Sequence, residues 1–131
     1  MTGPGDEGGE VDAEVVEFAH QMFDLARDGA TERLVAYVEA GVPVDLTDAD
    51  GNTLLMLAAY HGNAAAVQDL LRLGADVNRL NDRGQSPLAG AVFKGEDLVV
   101  SVLIGAGADP DAGQPSARAT ARMFGKPGIF D

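Results

Sequence analysis

Apolar side chains recur at helical spacing in several short stretches of the chain. Val67, Leu70 and Leu71 form one stripe, and Val99, Val100, Leu103 and Ile104 form another. Residues three and four apart share a helix face, so both stretches predict amphipathic helices. Two further stretches carry Ala58, Ala59 and Ala91, small residues suited to helices that stack closely. Thr53, Ser86 and Ser116 stand where a hydroxyl can accept the free amide hydrogens of a first helical turn, and Pro87 follows where no donor is needed. Gly62 and Gly95 then end two helices, and Gly74 and Gly107 end two more, at sites where a left-handed residue closes the helix. A longer helical pattern covers about Asp12 to Asp28.

These stretches repeat. Gly29, Gly62 and Gly95 are 33 residues apart, as are Gly41, Gly74 and Gly107, and Gly51 and Gly84. The same shift lays Gly51-Asn52-Thr53-Leu54-Leu55 on Gly84-Gln85-Ser86-Pro87-Leu88. It also lays Leu70-Leu71-Arg72-Leu73-Gly74-Ala75-Asp76-Val77-Asn78 on Leu103-Ile104-Gly105-Ala106-Gly107-Ala108-Asp109-Pro110-Asp111. A fixed period of this length marks a stack of small units, none able to bury its apolar stripe alone.

Asp48-Ala49-Asp50-Gly51-Asn52-Thr53, Ser86-Pro87-Leu88, Leu57-Ala58-Ala59 and Gly74-Ala75-Asp76-Val77-Asn78 match the turn, helix-start, helix and connector signatures of the ankyrin repeat, which the chain resembles over roughly residues 12–125. The resemblance implies an all-α ankyrin repeat solenoid of about three helix-turn-helix repeats with short hairpin-like loops and a C-terminal capping helix. Its units fall near 18–50, 51–83 and 84–113. A shift of 30 lays Ser116, Ala121, Met123 and Gly125 on Ser86, Ala91, Phe93 and Gly95, which places the cap at 114–125, followed by a tail at 126–131. The chain departs from the family at Met56 and Ala89, which replace a His whose hydrogen bonds join hairpin and helix, and at Leu54, which replaces Pro. The first unit has Phe18-Ala19-His20 where a turn is expected, which suggests a lengthened first helix acting as N-terminal cap.

Composition adds to this picture. At 131 residues one domain is the expectation, and aromatics are only 5%, so small and aliphatic side chains must fill the core. The absence of Cys removes disulfides, thiolate metal sites and cysteine nucleophiles. A formal net charge of −12 opposes binding to nucleic acid or to an anionic membrane surface. Half of it lies in residues 1–17, where Asp6, Glu7, Glu10, Asp12, Glu14 and Glu17 face no Lys or Arg. Residues 1–10 read as a disordered acidic tail. Residues 112–131 run the other way, with Arg118, Arg122 and Lys126 against Asp131, which allows a contact between acidic head and basic cap. The longest apolar run, Leu98 to Ala108, is broken and far below the about 20 residues of a membrane span, so a soluble, cytoplasmic monomer is expected. Richness in Ala, Gly, Arg, Asp and Val, with Lys94 and Lys126 the only lysines, suggests a GC-rich bacterial gene.

Candidate chemistry is sparse. Leu46 to Leu57 resembles a calcium loop at Asp48, Asp50 and Gly51 but has Leu at both terminal ligand positions, and turn chemistry explains both Asp residues. Gly105-Ala106-Gly107 resembles the start of a dinucleotide fingerprint, yet it ends a helix instead of opening one. His20 and His61 read as solvent-facing, and the serines as caps or outer-helix positions, so neither a catalytic site, a metal nor a cofactor is expected. The alternatives are a small metal-dependent enzyme using His61 with Asp50 or Asp82, and a regulatory or inhibitory subunit of a neighbouring enzyme.

A binding surface follows from the resemblance, since ankyrin stacks usually meet partner proteins on their concave face. Carried over unit by unit, the loop tips are Ala49, Asp50 and Asn52, then Asp82, Arg83 and Gln85, flanked by Arg79 and Leu80. The inner-helix positions are Met56, Tyr60 and His61, then Ala89, Phe93 and Lys94. Tyr60 and Phe93, one period apart, are expected to stack as an aromatic pair along the groove, either as anchors for a partner or as packing between units.

Overall fold

A computed structural model describes residues 4–131, with side chains described from residue 13 onward. Among the described residues seven helices follow one another: α1 (Pro4–Asp28), α2 (Thr31–Glu39), α3 (Leu54–Tyr60), α4 (Ala64–Arg72), α5 (Pro87–Lys94), α6 (Asp97–Gly105) and α7 (Ala117–Met123). A 3-10 turn at Pro127–Ile129 closes the chain. α1, α3, α5 and α7 stack as an inner row, α2, α4 and α6 as an outer row, and each outer helix packs on its own inner partner. The fold is thus an all-α repeat solenoid. The tail expected over residues 1–10 lies outside the described residues at 1–3, while residues 4–10 stand within α1, ahead of the expected start near Asp12. Pro is tolerated in a first helical turn, and acidic side chains favour it.

Local chemistry starts the short inner helices. Thr53 Oγ1 accepts the Met56 amide hydrogen at 3.1 Å, Ser86 Oγ that of Ala89 at 3.0 Å, and Ser116 Oγ that of Ala119 at 3.1 Å. Each such cap is worth about 1 kcal/mol. Helices of seven to nine residues would not survive alone, so burial must hold them.

That burial is organised in columns one period apart. Met22, Leu55 and Leu88 form one inner column, and Leu25, Ala58 and Ala91, continued by Ala121, form another; all are buried. Leu34, Val67 and Val100 make an outer column, with Leu70 and Leu103 in the next turn. Met56, expected to leave a hydrogen bond unmade, is 3% exposed and lies over Gly90, where an added Cβ would come 2.9 Å from its Cε. Apolar packing across the two helices therefore occupies that position.

The loops that start the inner helices project as short fingers. In the first, Thr47 and Thr53 form an isolated antiparallel bridge, and Asp48 Oδ1 accepts the amide hydrogens of Asp50 and Asn52, both at 2.9 Å. In the second, Asn81 Oδ1 accepts those of Arg83 and Gln85, both at 3.0 Å. The Asp82 amide donates to Asp50 O at 3.0 Å, and the Gln114 amide to Gly84 O at 2.9 Å, so each finger is tied to the next. At the opposite end of the units the Asp76 amide donates to Asp45 Oδ1 at 3.0 Å, and the Asp109 amide to Asn78 Oδ1 at 2.8 Å.

The C-terminal cap is held by Arg118. Its Nε donates to Asp111 Oδ1 at 2.8 Å, and its Nη1 donates to Asp131 Oδ1 at 2.7 Å and Phe130 O at 2.8 Å. Arg122 adds a longer pair with Asp131 at 3.3 Å. The hydrogen bond from Arg118 holds the Asp111 carboxyl below its ordinary range, and those from Arg118 and Arg122 do the same for Asp131. Both basic side chains of α7 thus have partners within the cap; the acidic head expected to meet them lies mostly among residues whose side chains are not described.

Two outcomes follow. Gly51 has φ +77°, and a Cβ there would sit 3.0 Å from the Asp82 amide nitrogen, against a finger that cannot retreat without breaking its bond to Asp50. Gly51→Ala should cost about 1–3 kcal/mol, read as a lower urea midpoint at unchanged slope. For the cap, both carboxyl pKa values are depressed in the folded chain. Their contribution is complete above the unfolded value near about 4 and is lost as pH falls through the lower folded values. The urea-midpoint difference between the parent and Arg118→Ala should therefore be full at neutral pH and shrink toward zero in acid below that value.

Candidate functional site

Between the fingers and the inner helices lies a groove of about 440 Å³. Its floor is a polar chain running across the units. Arg27 Nη2 lies 3.9 Å from Asp48 Oδ2, Asn52 Nδ2 donates to Asp48 Oδ2 at 3.3 Å, and Asn81 Nδ2 donates to Asn52 Oδ1 at 2.9 Å and to Gln85 Oε1 at 3.4 Å. These groups are largely spent on each other and on the finger backbones, so they shape the groove more than they can recognise a ligand.

Eight of the residues expected at the binding surface line this one groove: Asp50, Asn52, Met56, Tyr60, His61, Arg83, Gln85 and Phe93. Among them Asp50, His61, Arg83 and Phe93 are exposed and Tyr60 is half-buried, whereas Met56 forms part of the buried floor. Ala89 is 2% exposed and belongs to the core, so its side chain offers no surface to a partner. Ala49 turns to the other side of the first finger, beside α1, and lines a second, smaller cavity together with His20. Arg79, Leu80, Asp82 and Lys94 are exposed outside the lining of the groove.

The expected aromatic pair does not form. Tyr60 meets His61 edge-on with ring centroids 5.7 Å apart, and Lys94 Nζ lies 5.1 Å from the centre of the Tyr60 ring. Phe93 instead meets Phe124 edge-on at 5.7 Å. Phe93 thus pairs across the stack with the ring that follows α7, and Tyr60 with its neighbour in sequence. Both rings remain on the groove wall, each steadied by a different neighbour.

Four lining residues were not among those expected: Arg27, Asp48, Leu57 and Asn81. Arg27 is one period before Tyr60, so extending the period back through the first unit would have found it, while Asn81, one period after Asp48, follows only once that turn residue is counted in the lining. Among the described residues no group of three or more His, Asp or Glu side chains is gathered to hold a metal ion, and His20 and His61 line different cavities. Among them, too, no helix is long and apolar enough to cross a membrane.

A family model described as ankyrin repeats, in three copies, matches residues 22–114. The chain belongs to the ankyrin repeat family. An ankyrin repeat protein of Pseudomonas aeruginosa is 49% identical over 59 residues, 45% of this chain and 34% of that protein. An ankyrin repeat-containing protein of Treponema pallidum is 33% identical over 95 residues, 72% of this chain and 32% of that protein. The palmitoyltransferase AKR1 of Saccharomyces cerevisiae is 38% identical over 94 residues, 67% of this chain and 12% of that enzyme. The chain thus spans about a third or less of these relatives. The crystal structure of the human ASB11 ankyrin repeat domain superposes with a TM-score of 0.65 at 30% identity, over 68% of this chain and 40% of that one. Ankyrin repeats are in general protein–protein interaction modules.

The polar floor has its own test. Asn81→Ala removes the acceptor for two amides and the donor to Asn52, which should cost about 1–3 kcal/mol in a urea titration. Asn81→Asp keeps the acceptor and should cost less.

Proposed function

We propose that this ankyrin repeat chain is a non-catalytic, cytoplasmic interaction module that takes a partner protein in its concave groove. The units would run near 18–50, 51–83 and 84–113, with the cap at 114–125. One observation carries the reading: side chains that the framework does not need, Asp50, Tyr60, His61, Arg83 and Phe93, converge on a single groove. Their chemistry suits a protein surface. An exposed Phe and a half-buried Tyr supply rigid apolar area, and Asp50 and Arg83, one period apart on successive fingers, present opposite charges to fix the register of what binds. The neighbouring Asp48 and Asn81 carry the finger backbones and are excluded from this role.

Tyr60→Ala combined with Phe93→Ala should abolish capture of the partner from a lysate of the native host, read by affinity capture and mass spectrometry, with most of the helical circular dichroism retained. Asp50→Arg combined with Arg83→Asp tests the charge order without touching the core and should weaken capture by about tenfold or more. Capture unaffected by both variants would remove the concave groove as the site.

A further inference from the structure

The apolar positions of α1 form two stripes, Val15-Phe18-Met22-Leu25 and Val16-Ala19-Phe23-Ala26. Their C-terminal halves are buried: Met22 and Ala26 are fully enclosed, and Phe23 and Leu25 nearly so. Their N-terminal halves are not, with Val15 58% and Val16 51% exposed; Phe18 is covered in part by Tyr37 of α2, whose ring it meets edge-on at 5.3 Å. The cause is a mismatch of length. The 25-residue α1 is stacked against α3, which has only seven residues, so the neighbour covers about the last two turns. Beside the uncovered part, α1 and the first finger enclose a cavity of about 230 Å³ lined by Val16, Ala19, His20, Phe23 and Thr47 to Ala49. This cavity lies on the other side of the first finger from the concave groove and shares only Asp48 with it.

Charge selects what can cover this face. Glu14 and Glu17 are exposed next to Val15 and Val16, and residues 1–17 hold six carboxylates and no cation. Pairing α1 with α1 of a second copy would bring these carboxylates together. Of the chain's own helices, α7 has both arginines engaged with Asp111 and Asp131. We propose that the exposed face of α1 docks an amphipathic helix of a partner protein whose apolar stripe is flanked by Lys or Arg. The partner helix lies along Val15 and Val16, one apolar side chain enters the cavity beside the first finger, and its cations meet the carboxylates at the edge of this face, Glu14 among them.

The probe is a Leu/Lys amphipathic peptide of about eighteen residues, with a Leu/Glu peptide of the same pattern for comparison, titrated into the full chain and followed by fluorescence anisotropy. The Lys peptide is expected to bind, and raising salt from about 50 mM to about 500 mM should weaken it by about tenfold. Val15→Ser with Val16→Ser, both exposed and outside the core, should weaken it by a similar factor, whereas Asp50→Arg with Arg83→Asp should not. Equal binding of the Glu peptide, or binding that survives the valine substitutions, would overturn the proposal. So would a concentration-dependent self-association of the chain that those substitutions abolish, since the stripe would then belong to a second copy. Failure here leaves the concave groove untouched, because its variants are read separately.

Discussion

The close approach of the inner helices governs this molecule. Ala58, Ala91 and Ala121 sit where one inner helix meets the next, all completely buried, and their single methyl groups let short helices stack without large interdigitating side chains. Dispersion and burial fall steeply once helices are held apart, so a bulky residue at Ala58 or Ala91, each with an inner helix on either side, would open the stack on both sides. Low aromatic content follows from that spacing. The stack has little room for rings inside: Phe23 of α1 is buried, while Tyr60, Phe93 and Phe124 stand toward the edges of the inner row. The groove follows as well, because slender inner helices set back behind projecting fingers leave a hollow.

Polar groups then do a second, directional job. Each finger needs one residue, Asp48 or Asn81, to collect its own amides, and Asn81 also reaches back to Asn52 on the preceding finger. Hydrophobic columns alone would tolerate sliding or rotation of one unit on the next, whereas hydrogen bonds with fixed donors and acceptors do not. Neighbouring units therefore have a set register, and a partner would meet side chains on successive fingers as a rigid array.

Much of this was legible in the sequence, for a reason. Capping hydroxyls at Thr53, Ser86 and Ser116, the helix-ending glycines and the turn-forming Asp48 act on atoms a few residues away, so spacing along the chain is enough to infer them. The resemblance likewise brought Tyr60, His61, Arg83 and Phe93 to one groove. What escaped depends on distances across units. A period fixes which way a ring points but not which ring it meets, and Tyr60 and Phe93 each pair with a different neighbour. Met56 over Gly90 joins two positions that no single unit displays together. Arg27 was missed because the first unit lacks the finger that marks the others. The Arg118 clasp spans a long loop whose path the period does not describe.

The connector bonds at the far end of the units have one more consequence. Asp45 accepts from the amide of Asp76, and Asn78, one period after Asp45, accepts from that of Asp109, one period after Asp76. Both joints between the repeat units are therefore made of the same plug and the same socket, with the side-chain acceptor on the earlier unit and the backbone donor on the later one. The middle unit carries both halves. The architecture is thus extensible by whole units: another copy of the middle unit inserted beside itself would find a matching socket before it and present one after it, lengthening the groove without altering either cap.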